Sequence, residues 1–263
     1  MRRQLLTAVG MVIVMTVVCG FAYGLALTGI GQLAFSHQAN GSFVQKNGKD
    51  VGSSLIGQAF TDGKGNPIPK YFQSRPSSAT TSAATDNITV GGASNLGPSN
   101  PLLIGFVPGV NTVDLSGNKS ATNPFATPAD PFCVPVDTTS AVVPVVAPTP
   151  GQKYAKNSDG TYVCDPNTVP ERAIAYRSEF GLAPNAEVPV DAVTASGSGL
   201  DPEISIANAD IQAPTVAKAR NLPLSTVQQL IAANTTGRSL GVLGDPGVNV
   251  LNLNLALDRL VSR

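Results

Sequence analysis

The chain has 263 residues, 17 basic and 17 acidic, so it is formally neutral, and only 13% of it is charged. No global field draws it to nucleic acid or to acidic lipid, which disfavours nucleic-acid binding. Trp is absent and Gly and Pro are plentiful, so the exterior is poor in ion pairs; the length suits one sizeable soluble domain plus a membrane element.

The N-terminus supplies that element. No Lys, Arg, Asp or Glu occurs from Gln4 to Gln45, and Leu5 to Leu27 is almost wholly apolar. That is enough helix to cross about 30 Å of hydrocarbon. A cleavable signal peptide is the competing reading, since Arg2-Arg3 before an apolar run also opens such peptides. The run exceeds a signal-peptide core of roughly 7 to 15 residues and ends in no compact A-x-A site, which favours an uncleaved anchor over residues 1–30. Gly20 and Gly24 have the small-xxx-small spacing that lets a neighbouring helix approach, although Gly is frequent in membrane helices anyway. Arg2 and Arg3 face no Lys or Arg on the far side until Lys46, so the positive-inside rule puts the N-terminus in the cytoplasm and the rest outside.

Residues 31–51 read as a polar, Gly-containing connector, followed by a domain over 52–263. Its first strand-like piece is Ser54 to Phe60. Gly63 to Pro69 is turn chemistry, and Ser77 to Asn87, mostly Ser, Thr and Ala, is expected at the surface. Gly91 to Pro101 forms a loop in which Asn95 and Asn100 make side-chain turns while Pro98 and Pro101 deny regular ladders. Within residues 102–169 the Pro-rich run Val142 to Gly151 is extended and excludes a long helix. Cys133 and Cys164 also fall within 102–169. An outside location is oxidising enough to pair them, the alternative being two free thiols on a mobile loop.

A helix is expected from about Val169, with Thr168 as cap, Pro170 and Glu171 in the first turn, and Thr168 with Glu171 as a capping box. Gly181 stops it. The run VPVDAVTASGSGLDPEIS, Val188 to Ser205, reads as a built loop: Gly197 and Gly199 permit positive φ, Ser196 and Ser198 offer hydroxyls, and Asp201-Pro202 marks a turn. It is either a structural turn or a nest of N–H groups for an anion or partner. Ser205 caps the next helical stretch, which Pro214 divides into two pieces, Ile206 to Ala213 and Pro214 to Ala219. Ser225 to Asn234 has helical spacing and is closed by Gly237; Val248 and Val250 alternate as a short strand, and an amphipathic helix ends the chain. The fold class is α+β (or α/β): one transmembrane helix, then a domain with a small sheet and several helices.

Chemistry is sparse. His37 is the only histidine and has no carboxylate close in sequence, so a Ser-His-Asp apparatus is unsupported. Three scattered cysteines and one histidine make no convincing metal set. No G-x-x-x-x-G-K-[ST] string occurs, and no Asp-centred phosphorylation loop.

Six segments in register along the chain carry a resemblance. They are GSSLIGQAFTD (Gly52 to Asp62), KYFQSRPS (Lys70 to Ser77), GGASNLGPSNP (Gly91 to Pro101), the loop 188–205, VAKARNL (Val216 to Leu222) and LGDPGVNVLNLNLALD (Leu243 to Asp258). The chain resembles KdpC, the C subunit of the Kdp potassium-transporting P-type ATPase, and the stretch 102–169, which these segments leave uncovered, looks like an insertion projecting from the domain. The resemblance implies a non-catalytic accessory subunit in the plasma membrane. Its partners would be a potassium-channel-like subunit, an ATP-hydrolysing subunit and any small single-helix subunit. It also implies an increase in the catalytic subunit's affinity for ATP, with Ser196, Gly197, Ser198, Gly199 and Gln212 as nucleotide-side positions. No firmly bound cofactor is implied, ATP acting through the complex. This conflicts with the topology, because ATP is cytoplasmic and the charge asymmetry puts that loop outside.

The resemblance assigns the Gly91 to Pro101 loop, with Asn95 and Asn100, to the interaction surface. The chain also departs from the family pattern: Gln73 stands where an aromatic is expected after Phe72, and Thr215 and Gly247 stand where arginines are usual. Arg75, Lys218, Arg220 and Asp201 remain as charged candidates for partner contacts, each readable as an ordinary surface charge. The rival reading is a membrane-anchored extracytoplasmic binding or adhesion module working through the insertion.

Overall fold

The computed structural model describes residues 2–77, 92–93, 97, 100–107, 112, 120–127, 130–136 and 154–261. Asn95, the Ser/Thr/Ala stretch beyond Ser77 and the Pro-rich run 142–151 lie outside the described residues. Two compact units divide the chain, Met1–Leu55 and Ile56–Arg263.

The first unit is dominated by a helix running over Arg2–Ala34, long and apolar enough to cross a membrane. It consists of α1 (Arg2–Met15), a π-helical stretch (Thr16–Ala22) and α2 (Tyr23–Ala34). None of its side chains is buried in the chain, and a Cβ built on Gly10 or Gly24 meets nothing within 4 Å. An apolar rod with no protein around it belongs in lipid or against another helix. After α3 (Ser36–Ala39) comes a hairpin of β1 (Phe43–Lys46) and β2 (Lys49–Ser53), paired antiparallel with a bulge between Val44 and Gln45. Asn47 and Gly48 take φ of 53° and 74°, the left-handed pair that a two-residue hairpin turn demands. Strand structure therefore lies within the expected connector, whereas residues 54–60, read as strand-like, form a turn and an irregular run. The Asn-Gly turn decides this, because it fixes the register of the residues on either side of it.

The second unit is built on a three-stranded antiparallel sheet in the order β3-β5-β4, from β3 (Glu203–Ser205), β4 (Thr235–Thr236) and β5 (Gly247–Asn249). Helices α7 (Ile206–Arg220), α8 (Leu224–Ala233) and α9 (Val250–Val261) bury one core with it: Ile204, Ala213, Val216, Val227, Ile231, Val248, Leu253 and Leu257, with Phe72 inserted from the KYFQ segment. The mixture of helices and small sheets is the α+β arrangement expected. Pro214 does not divide α7, which runs unbroken through it. Proline removes one backbone donor, and packing of Ala209, Ala213, Val216 and Ala217 into the core offsets that loss. Asn221, left-handed at φ 53°, closes α7; Asn234 rather than Gly237 closes α8.

Upstream lie α4 (Pro101–Ile104), α5 (Val169–Glu179) and α6 (Val190–Val193), and a smaller cluster in which Phe125 meets Phe106, Tyr154 and Tyr162 at ring-centroid distances of 5.6, 5.1 and 5.1 Å. Cys133 and Cys164 are joined as a disulfide beside it, so the two thiols are paired rather than free. Cys19 is an exposed thiol on the π-helical stretch.

Candidate functional site

The KYFQSRPS segment threads between α7 and α9 without a strand to pair with. Two carboxamides stand in for one. Asn254 on α9 accepts from Phe72 N–H and donates to Phe72 C=O, both at 2.9 Å. Gln212 on α7 does the same for Gln73, accepting at 2.7 Å and donating at 3.2 Å. Both amides are almost fully buried, and Phe72 is completely so. A buried backbone must find partners, and the amide side chain offers the donor and acceptor of a peptide. Gln73, which replaces an expected aromatic, uses its own amide to donate to Phe60 C=O at 3.1 Å and to Tyr71 C=O at 3.2 Å. The departure from the family pattern has thus become a tie to the neighbouring turn.

Behind Gln212 lies a polar chain. Its Nε2 also donates to Asn208 Oδ1 at 2.9 Å, and Tyr176 O–H donates to the same oxygen at 2.7 Å. Asn208 Nδ2 in turn donates to Asp191 Oδ2 at 2.9 Å, and Asp191 accepts from the Ser205 N–H and hydroxyl, both at 2.8 Å. Ser205 caps α7 as expected, accepting from Asn208 N–H at 3.1 Å. Burial, then the charges of Asp191 and Glu179, push the Tyr176 hydroxyl well above its ordinary range, so it stays a donor.

The loop 194–202 rests on the far end of the same segment. Arg75 Nη1 meets Asp201 Oδ2 at 2.9 Å and Nη2 donates to Thr194 Oγ1 at 3.4 Å. Ser196 N–H donates to Pro76 C=O at 3.3 Å, Ser77 Oγ to Gly199 C=O at 2.7 Å, and Gly92 N–H to Ser198 C=O at 2.9 Å. Ser196 Oγ accepts from Asp201 N–H at 3.4 Å, and Ser198 Oγ from Leu200 N–H at 3.1 Å. Gly199 is left-handed at φ 74°. Gly57 approaches so closely that a Cβ there would lie 2.2 Å from Asp201 O. Of the positions expected from resemblance, Ser196, Gly197, Ser198, Gly199, Arg75 and Asp201 are gathered in one place. Gln212 is reached through the segment that Arg75 also belongs to. Asn100 lies at the start of α4, donating its N–H to Gly97 C=O at 3.0 Å.

Arg220 is not an ordinary surface charge. Only 4% of its side chain is exposed: Nη2 meets Asp258 Oδ1 at 2.9 Å, Nε donates to Lys70 C=O at 2.5 Å, and the guanidinium lies 4.9 Å from the centre of the Tyr71 ring. Tyr71 O–H donates to Asp258 at 3.3 Å, closing the group. Sequence reasoning passed over Asn254 and Asp258; the signal available was polar residues at helical spacing among the leucines of α9. His37 lines a shallow groove with Ser36, Asn40 and Asp50 in the first unit, but Asp50 accepts from Gln45 and no hydrogen bond joins His37 to Ser36 or Asp50.

The first unit thus offers a helix long and apolar enough to cross a membrane, and the second is an α+β unit whose buried polar groups bind its own backbone. Comparison with known proteins supplies the family. A family model described as K+-transporting ATPase, C chain (KdpC), matches residues 5–141 and 151–259. The chain is 40% identical over 260 residues to the potassium-transporting ATPase KdpC subunit of Mycobacterium tuberculosis, covering 99% of this chain and 100% of that one. It is 38% identical to the KdpC subunit of Bradyrhizobium diazoefficiens over the full length of both. For that of Burkholderia ambifaria the identity is 39%, over 94% of this chain and 91% of the relative. The chain belongs to the KdpC family, subunits of potassium-transporting ATPases. The family model passes through most of the stretch 102–169, leaving out only 142–150.

Proposed function

We propose that this chain is a non-catalytic subunit that assembles and stabilises an ATP-driven potassium pump. Its apolar helix joins the membrane bundle, with Gly20 and Gly24 as the close-approach positions, and its lobe lies outside the cytoplasm against the potassium-channel-like subunit. Full-length similarity to potassium-transporting ATPase KdpC subunits carries the reading. The charge asymmetry at Arg2 and Arg3 supports the orientation, and the Cys133–Cys164 disulfide supports it independently, because such bonds persist in oxidising compartments.

Any rise in the pump's ATP affinity is then transmitted through the complex rather than made by nucleotide on this chain. The polar ends of Gln212 are engaged by Gln73 and Asn208, and the hydroxyls of Ser196 and Ser198 by their own loop. Affinity purification of the full chain in mild detergent tests the assembly role. The channel-like and ATP-hydrolysing subunits are expected to travel with it, and bulky residues at Gly20 and Gly24 to weaken their recovery. Recovery of neither subunit would reject assembly. Separately, labelled ATP titrated onto the full chain alone is expected to bind at millimolar levels or not at all; micromolar binding would reject indirect transmission.

A further inference from the structure

Just beyond the long helix, the first unit folds back on itself and leaves a groove of about 610 Å³, lined by Ser36, His37, Asn40, Phe43, Gln45 and Asp50. That volume falls within the roughly 300–1,000 Å³ of small-molecule sites. One wall is α3, and the other is the part of the β1–β2 hairpin where Gln45 stands opposite Asp50. The walls are tied to each other and to the helix below. Asn40 and Gln32 exchange two amide hydrogen bonds, at 3.2 and 3.1 Å, which pin α3 to the last turn of α2. Ser42 N–H donates to His37 C=O at 2.9 Å, Ser53 Oγ to Gly41 C=O at 2.7 Å and Ser54 N–H to Ser42 C=O at 3.1 Å, strapping the hairpin to α3.

Two kinds of group line the groove. Asp50 brings a negative charge: Gln45 Nε2 donates to its Oδ1 at 2.9 Å, and among the described residues no hydrogen bond or salt bridge is made to Oδ2. Phe43 is 54% exposed. A carboxylate oxygen and an aromatic face both attract an ammonium group. On α3 the Ser36 hydroxyl and the His37 ring are donors suited to phosphate oxygens. Asn40 is already committed, its Nδ2 donating to Gln32 and to Ser36 C=O, so it shapes the wall. None of the six lining residues is Lys or Arg; Lys46 and Lys49 pair across the hairpin's turn end. An anionic headgroup therefore finds no cation here, and a quaternary ammonium has no N–H to give Asp50.

The position of the groove says where its ligand comes from. The helix Arg2–Ala34 has 33 residues, about 50 Å at 1.5 Å per residue, against about 40–45 Å for a bilayer with its headgroup layers. No charge interrupts Gln4 to Gln45, and an overlong apolar run tilts rather than leave the membrane; about 30° matches the two lengths. Arg2 and Arg3 then stand in one headgroup layer, and the groove opens at the other.

The geometry points to a binding site for the headgroup of phosphatidylethanolamine, its ammonium held by Asp50 and Phe43 and its phosphodiester by Ser36 and His37. A shallow groove suits a ligand whose tails stay in the bilayer. This inference rests on the helix lying in a membrane, and not on its orientation or on the pump-assembly role. The same chemistry, a primary ammonium beside a phosphodiester, occurs in soluble glycerophosphoethanolamine, so the test includes both.

Native mass spectrometry of the full chain, released from mild detergent holding equal amounts of phosphatidylethanolamine, phosphatidylcholine and phosphatidylglycerol with matched tails, reads the selectivity. Phosphatidylethanolamine is expected to be retained about three- to tenfold over each of the others, the worth of one partly screened charge-assisted hydrogen bond. Asp50→Asn, which can still accept from Gln45, should bring retention level with phosphatidylcholine, while Lys49→Gln should leave the preference intact. Equimolar glycerophosphoethanolamine should not displace the lipid. Equal retention of the three lipids by the unaltered chain would overturn the site whatever the variants do. So would a preference for phosphatidylglycerol, an undiminished preference in a folded Asp50→Asn chain, or displacement by the soluble headgroup, which would make the ligand a soluble zwitterion.

Discussion

Gln212→Leu keeps most of the side chain's volume while removing its polar end. It deletes three hydrogen bonds: two to the backbone of Gln73 and one to Asn208 Oδ1. Asn208 keeps Tyr176 as a donor, so the orphaned groups are the Gln73 N–H and C=O. Each stranded backbone group costs about 1–3 kcal/mol when buried, and Gln73 is only partly buried, which sets the expected loss at about 2–4 kcal/mol. Urea unfolding of the full chain in detergent, followed by circular dichroism, should show the lower midpoint with little change of slope. Whatever pump assembles around the variant should bind ATP with unchanged affinity, because the substitution removes a clamp and not a ligand. An unchanged midpoint together with weakened ATP binding by the assembled pump would refute the clamp argument and make Gln212 a nucleotide contact.

Neighbouring geometry sets three other outcomes. Gly57→Ala brings a methyl against the Asp201 carbonyl, which cannot swing aside as a side chain end would, and should cost about 1–3 kcal/mol in the same unfolding assay. Arg220→Ala uncovers the Tyr71 ring and takes from Asp258 its guanidinium partner, leaving the weaker Tyr71 hydroxyl bond, for an expected loss of about 3 kcal/mol, read as a lowered midpoint. Replacing Cys133 and Cys164 together by alanine opens a link of sequence separation 31 and should lower stability by about 3–4 kcal/mol on the chain-entropy estimate, with non-reducing unfolding as the measurement.

Much of this chain is set locally and can be read locally. The apolar run, the Thr168 and Ser205 caps, the short strand at 247–249 and the helix after it each depend on residues within a few positions of one another. The Asn47-Gly48 hairpin is equally local and equally legible, although the polar, Gly-containing composition around it reads as a connector. What the tertiary structure alone decided are the encounters between distant segments. Asn254 reaches Phe72 across 182 positions and Gln212 reaches Gln73 across 139, and no spacing rule links an amide to the backbone it will clamp. The same holds for Pro214, whose local veto on helix is outweighed by packing that exists only when α7 lies on its core. Local propensities amount to about 1 kcal/mol or less for ordinary residues, and burial of a polar group without a partner costs more than that, so where the two disagree the long-range partner prevails.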